Sequence, residues 1–103
     1  MAASNFSTAM KTPGTLVLDV RTPAEYASGH LPQATNIDVN ADFANKIAAL
    51  DKNATYAVYC QSGSRSGAAL DQMTAAGFGH VYDLTGGIGA WQSMGGPMTT
   101  GGS

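Results

Sequence analysis

One cysteine stands in this chain, Cys60, and Gln61-Ser62-Gly63-Ser64-Arg65-Ser66 follows it directly. A thiol attacks only as its thiolate, and it ionises where positive charge and hydrogen-bond donors gather around it. The segment has the residue types to supply both. If it joins a strand to a helix, the helix N-terminus presents unpaired amides and a partial positive charge. A turn built from serine and glycine lets successive amides point into one concavity, which binds anions. Arg65 adds a full charge at the lip, and it is the only lysine or arginine from Asn53 to the end of the chain. The same loop would hold a Cys60 thiolate and bind an anionic substrate. Gly63 lets backbone approach the ligand where a Cβ would intrude. Ser62, Ser64 and Ser66 offer hydroxyl donors, or serve only as turn and cap residues.

A bland reading competes with this one. A lone cysteine is more often a small buried hydrophobe than a reactive group, and Cys-x4-Arg is a short pattern. With one cysteine there is no internal disulfide and no cysteine zinc site. His30 and His80 are far apart in sequence, so no metal site is expected.

The elements that must position the loop alternate between strand and helix. Leu16–Val20 is a short apolar run typical of a buried strand. Thr22-Pro23-Ala24-Glu25 reads as an N-cap, a proline at the first helical position and a capping box, opening a helix that stops at Gly29. Ala34–Val39 is read as a strand. Asn40 is read as the cap of a helix over Ala41–Leu50, with Phe43, Ile47 and Leu50 on one face. Thr55–Tyr59 is β-branched and aromatic, a strand ending at Cys60. A helix over Ser64–Ala76 turns Leu70 and Met73 inward and stops at Gly77. A strand over His80–Leu84 and a helix over Ile88–Met94, with Trp91 inward, complete the pattern. Met1–Ser4 and Pro97–Ser103 read as loose ends. The alternation predicts one α/β domain over residues 1–103, a small, mainly parallel sheet with helices on both faces. In such sheets ligands sit beyond the carboxyl ends of the strands, where Cys60 falls.

Composition agrees with a single small globular domain. The chain has 103 residues, 44% hydrophobic and 12% charged, with a net charge of −2. That excludes a basic nucleic-acid surface, and no apolar run approaches the ~18 residues of a membrane span. Met1–Met10 lacks the pattern of a signal peptide. A cytoplasmic monomer is expected, or a periplasmic one if a signal had been removed upstream.

Three separated motifs resemble single-domain rhodaneses. Leu18-Asp19-Val20-Arg21-Thr22-Pro23-Ala24-Glu25-Tyr26 with Gly29-His30-Leu31-Pro32 and Ala34–Ile37 is similar to the family's first signature. Cys60–Arg65 resembles its six-residue active loop. Leu84-Thr85-Gly86-Gly87-Ile88-Gly89-Ala90-Trp91 resembles its closing motif. The resemblance spans about Gly14–Pro97 and implies a three-layer rhodanese-like fold. It implies a thiosulfate sulfurtransferase that needs no cofactor, with Cys60 catalytic and Gln61, Ser62, Gly63, Ser64, Arg65 and Ser66 binding substrate. Its partners would be a small sulfur donor such as thiosulfate and a thiol or cyanide acceptor, or a protein sulfur donor or acceptor. Two positions depart from the family: Gln33 stands where glycine is common, and Gln61 where thiosulfate-using members often carry a basic residue.

Other marked residues read as structural. Asp19, Arg21 and Glu25 are expected to fix the first helix and neighbouring loops rather than form the site rim. His30 is expected to be a hydrogen-bonding turn residue, and Trp91 and the five methionines to pack. Two rival functions share the loop: a phosphatase or arsenate reductase, whose loop is longer by one residue, and a persulfide carrier with little turnover of small donors.

Overall fold

The computed structural model describes residues 1–100. The strands are β1 (Thr15–Asp19), β2 (Thr35–Asn36), β3 (Thr55–Tyr59) and β4 (Val81–Asp83). The helices are α1 (Ala3–Lys11), α2 (Pro23–Ser28), α3 (Phe43–Ile47), α4 (Ser64–Ala75) and α5 (Gly87–Ser93). The strands form one parallel sheet in the order β2-β1-β3-β4. Because all run the same way, Asp19, Cys60 and Leu84 leave the sheet at one edge.

Side chains alternate along each strand, so the sheet divides two cores. Val17, Ala57 and Tyr59 face α1, α2 and α5 through Phe6, Met10, Tyr26, Ile88 and Trp91. Leu18, Tyr56, Val58 and Cys60 face α3 and α4 through Phe43, Ile47, Ala69 and Met73. Met73 is buried as expected, while Leu70 is only half-buried; Ser66 and Ala69 complete the inward face of α4.

The capping box of α2 forms as its four residues require: Thr22 Oγ1 accepts the Glu25 amide at 3.2 Å and Glu25 Oε1 accepts the Thr22 amide at 3.1 Å. Other boundaries differ from expectation. Met1–Ser4 is not loose; Ala3 opens α1, whose Phe6 and Met10 are buried one turn apart. Edge-to-face contacts of Phe6 with Tyr59 and Trp91, each at 6.4 Å, hold that helix to the sheet. The segment Ala34–Val39 pairs as regular strand only at Thr35–Asn36, although Ile37 and Val39 still donate to the Asp19 and Val20 carbonyls. Asn40 does not cap α3. Asp42 occupies that position with φ 58°, and its carboxylate accepts from the Asn45 side-chain Nδ2 at 2.8 Å rather than from a helix backbone amide. Gln33, where glycine would suit the turn, adopts φ 71°, a left-handed conformation that strains a residue with a Cβ.

Residues 97–100, read as part of a loose end, form no helix but are tethered. Thr99 and His30 exchange backbone hydrogen bonds at 2.7 and 2.8 Å, and Trp91 Nε1 donates to the Pro97 carbonyl at 2.9 Å. Expectations for residues 101–103 lie outside the described residues.

Candidate active site

Cys60 is the first residue beyond β3, and the loop to α4 folds back over its sulfur. The Gly63 amide donates to Sγ at 3.0 Å, and Sγ lies 3.4 Å from Ser66 Oγ on the first turn of α4. Gly63 reverses the chain at φ 104°, a conformation natural to glycine. Its Cβ would also approach the Gly86 amide at 3.4 Å. Glycine is thus favoured here by the turn itself.

Gly87 supports the loop from the other side. A Cβ there would lie 2.5 Å from the Gln61 carbonyl and 2.6 Å from that of Cys60, so no side chain fits. The Ile88 amide donates to the Cys60 carbonyl at 2.9 Å. The closing glycine pair therefore acts by backing the active loop closely, with Trp91 directed into the core.

Burial pushes the Cys60 thiol up, while the Ser66 hydroxyl and the amides of Ser66, Gly63 and Ser62 push it down; the balance falls below the ordinary thiol value. Cys60 is thus fully buried yet unlike an inert core thiol, since donors converge on its sulfur.

The structure places Arg65 differently from a free charge at the lip. Its guanidinium donates to both Glu25 oxygens, at 2.7 and 3.0 Å. That bond is the main reason the Glu25 carboxyl is held down at about 2. Glu25 therefore has two tasks, closing the capping box of α2 and joining α2 to α4. Ser62 and Ser64 are exposed on the loop, and Gln61 is exposed with Oε1 3.4 Å from Arg21 Nη1.

Asp19 and Arg21 make the structural contacts expected of them, but Arg21 also lines a cavity beside the loop. Asp19 accepts from Arg21 Nη2 at 2.6 Å, Arg21 Nε at 3.0 Å and the Tyr59 hydroxyl at 2.7 Å. Arg21 also donates to the Gly29 carbonyl at 2.6 Å. His30 is buried, its ring stacked on Tyr26 at 3.8 Å and its Nδ1 2.8 Å from the Tyr26 carbonyl. Asp83, from β4, was not among the residues singled out in the sequence, yet its carboxylate is hydrogen-bonded to Ser66 Oγ. No local signal marks it, because sheet register alone brings it to α4.

A shallow cavity of about 240 Å³ adjoins the loop between Arg21, Gly29, Gln61, Ile88, Gln92 and Met98. A larger one, about 420 Å³, opens at the opposite end of the sheet around Thr15, Thr55 and Tyr82, away from the sulfur. Among the described residues no cluster of histidine, cysteine or carboxylate groups could hold a metal, and no helix is long and apolar enough to cross a membrane.

Comparison with known proteins gives the geometry its context. The family model for the rhodanese-like domain matches residues 2–94. The chain is 36% identical over 85 residues to a thiosulfate sulfurtransferase GlpE of Pseudomonas entomophila, covering 82% of this chain and 77% of that protein. It is likewise 36% identical over 87 residues to a sulfurtransferase of Allochromatium vinosum, covering 84% of this chain and 80% of that one. A rhodanese-related protein from Thermoplasma volcanium superposes with a TM-score of 0.86 at 31% identity, covering 96% and 95% of the two chains. A rhodanese from E. coli, solved with anions, superposes at 0.70 with 32% identity, covering 84% of this chain and 99% of that one. With its parallel sheet, its cysteine loop and its closing glycines all in place, the chain belongs to the rhodanese-like domain family.

Proposed function

We propose that the protein is a sulfurtransferase that carries sulfane sulfur as a Cys60 persulfide. The carrying observation is the sulfur's setting: a thiol below its ordinary pKa, receiving the Gly63 amide beneath the N-terminus of α4. In the loading step the Cys60 thiolate attacks the outer sulfur of a donor such as thiosulfate. A new S–S bond forms, the bond to the sulfite sulfur breaks, and sulfite leaves with its electron pair. The negative charge that stays on the outer sulfur of the persulfide is held by the loop amides. An acceptor thiolate or cyanide then takes that sulfur, and Cys60 returns as thiolate. This is covalent catalysis in two half-reactions. A pre-formed thiolate needs no separate base, and the buried His30 stands outside this scheme.

The Arg65–Glu25 pair favours one refinement. A dianionic donor approaching a thiolate gains from unpaired positive charge, and Arg65 spends its own on Glu25. Gln61 adds none. A persulfide delivered by a protein partner carries less charge into the loop, so transfer between proteins is the second reading.

Intact mass spectrometry tests both. Incubation with thiosulfate, or with a persulfide-bearing protein donor, adds one sulfur atom to the wild type, and cyanide removes it. Cys60→Ser gains nothing. Failure of every sulfane donor to load the wild type refutes the function, and the ratio of the two loading rates ranks the two readings.

A further inference from the structure

Ser66 Oγ carries one proton and is surrounded by three acceptors. Cys60 Sγ lies 3.4 Å away, the Gly63 carbonyl lies 3.2 Å away, and the Asp83 carboxylate is hydrogen-bonded to it. The Gly63 carbonyl already accepts the Gly67 amide at 3.1 Å, so it has the least need of the hydroxyl. The contest is between sulfur and carboxylate. Ser66 is fully buried, whereas Asp83 keeps partial access to solvent.

The winner depends on the charge of the sulfur. An ionised carboxylate is a far stronger acceptor than a neutral thiol. With Cys60 protonated, Ser66 therefore donates to Asp83 and offers a lone pair to the S–H. Once Cys60 is an anion, that lone pair faces negative charge. The hydroxyl must rotate to donate to sulfur, and Asp83 turns to water for its replacement.

We propose that Asp83 is a positioning residue that restrains Cys60 by competing with its sulfur for the single hydroxyl proton of Ser66. The proposal rests on the reading of Cys60 as the sulfur-carrying nucleophile. Asp83 holds the Ser66 proton whenever Cys60 is a thiol, and the thiolate that does the chemistry, like the persulfide anion after it, must draw that proton back.

The other charged groups around the loop have their own partners. Asp19 and Arg21, at the end of β1, pair with each other, and the Tyr59 hydroxyl donates to Asp19. Glu25 of α2 pairs with Arg65 of α4, on which Asp38 also acts. Asp71, further along α4, is exposed, and α5 has no ionisable side chain. The amino group of Met1 donates to the backbone carbonyl of Asp83 rather than to its carboxylate. Among the described residues, Asp83 is the carboxylate joined to Cys60 through one hydroxyl.

The test is the pH profile of Cys60 alkylation by iodoacetamide in the wild type, Asp83→Asn, Ser66→Ala and the double variant. In Asp83→Asn the new amide donates to Ser66 Oγ and sends its proton toward sulfur. The midpoint should fall by about half a pH unit, making alkylation about threefold faster below it. Ser66→Ala removes a donor to the anion and should raise the midpoint. In the Ser66→Ala background, Asp83→Asn should shift nothing. A shift that persists undiminished there shows a direct charge effect and overturns the proposal. So does an unchanged or raised midpoint in Asp83→Asn. Should that variant not fold, Asp83→Ala replaces it; it frees the proton without supplying a donor, so a smaller fall is expected and no fall is a refutation. Alkylation involves no sulfur transfer, so a chain that shows this pattern but never accepts sulfur refutes the function and leaves the role of Asp83 standing.

Discussion

Arg21 and Arg65 stand near the same edge of the sheet, each paired with a carboxylate, and they differ in burial. The Arg21–Asp19 side chains are 3% and 0% exposed, against 28% and 33% for Arg65–Glu25. Around the first pair every polar neighbour is engaged: Tyr59 with Asp19, and the Gly29 carbonyl with Arg21. The Arg21 guanidinium also lies 5.7 Å over the Tyr59 ring. Burial and the neighbouring Asp19 push the Tyr59 phenol well above its ordinary value, so it stays a neutral donor. The second pair borders water and spans two helices. The same chemistry therefore does different work. The buried pair fixes where β1 ends and the loop begins, and the half-buried pair ties α2 to α4 beside the cysteine loop.

The comparison can be broken most forcefully at Arg21. Arg21→Ala leaves Asp19 buried without its partner and should cost about 3–5 kcal/mol, read as a lower denaturant midpoint. A loss near zero would show that the pair is not structural. Arg21→Lys keeps the charge but loses the planar fork that reaches Asp19 and Gly29 together, and should cost less than the alanine variant while remaining clearly destabilised.

Arg65→Ala should change stability by less than about 1 kcal/mol, because a half-buried pair bordering water contributes little. Thiosulfate loading of Cys60 should nonetheless slow several-fold, measured by the rate of adduct formation. Equal losses of stability in the two alanine variants would erase the distinction between the pairs. Glu25→Gln should act in the opposite direction on loading, about twofold faster, as Arg65 regains its charge for the donor; a slower rate would mean that the pair itself is needed. The smallest effect lies in acid. Glu25 is held at about 2 against ~4.3 unfolded, so the folded state binds fewer protons between those values. Its contribution is full above about pH 5 and withdraws as pH falls toward 2, and Glu25→Gln should flatten that part of the stability profile.

Much of the site was legible locally. The Thr22–Glu25 capping box is a matter of four residues, and it formed as read. Cys60 at a strand end with a glycine turn behind it needed only the pattern of Thr55–Tyr59 and the residues that follow. Helix α1 was not legible. Ser4, Asn5, Ser7 and Thr8 are indifferent helix formers, no side chain caps the start, and its stability comes from Phe6 and Met10 against the sheet. Asn40 looked like a cap by type, but the chain turns at Asp42 instead.

From the sequence alone came the candidate nucleophile, the loop that covers it and the order of the elements from β1 onward, because these rest on contacts within a few residues. The partners were decided by the tertiary structure. Arg65 meets Glu25 across 40 residues, and Ser66 meets Asp83 across 17. Both encounters depend on the parallel register of β1, β3 and β4, which aligns separate stretches of chain at one edge. The sequence placed donors near Cys60, and only the packed sheet decided which acceptors compete for them.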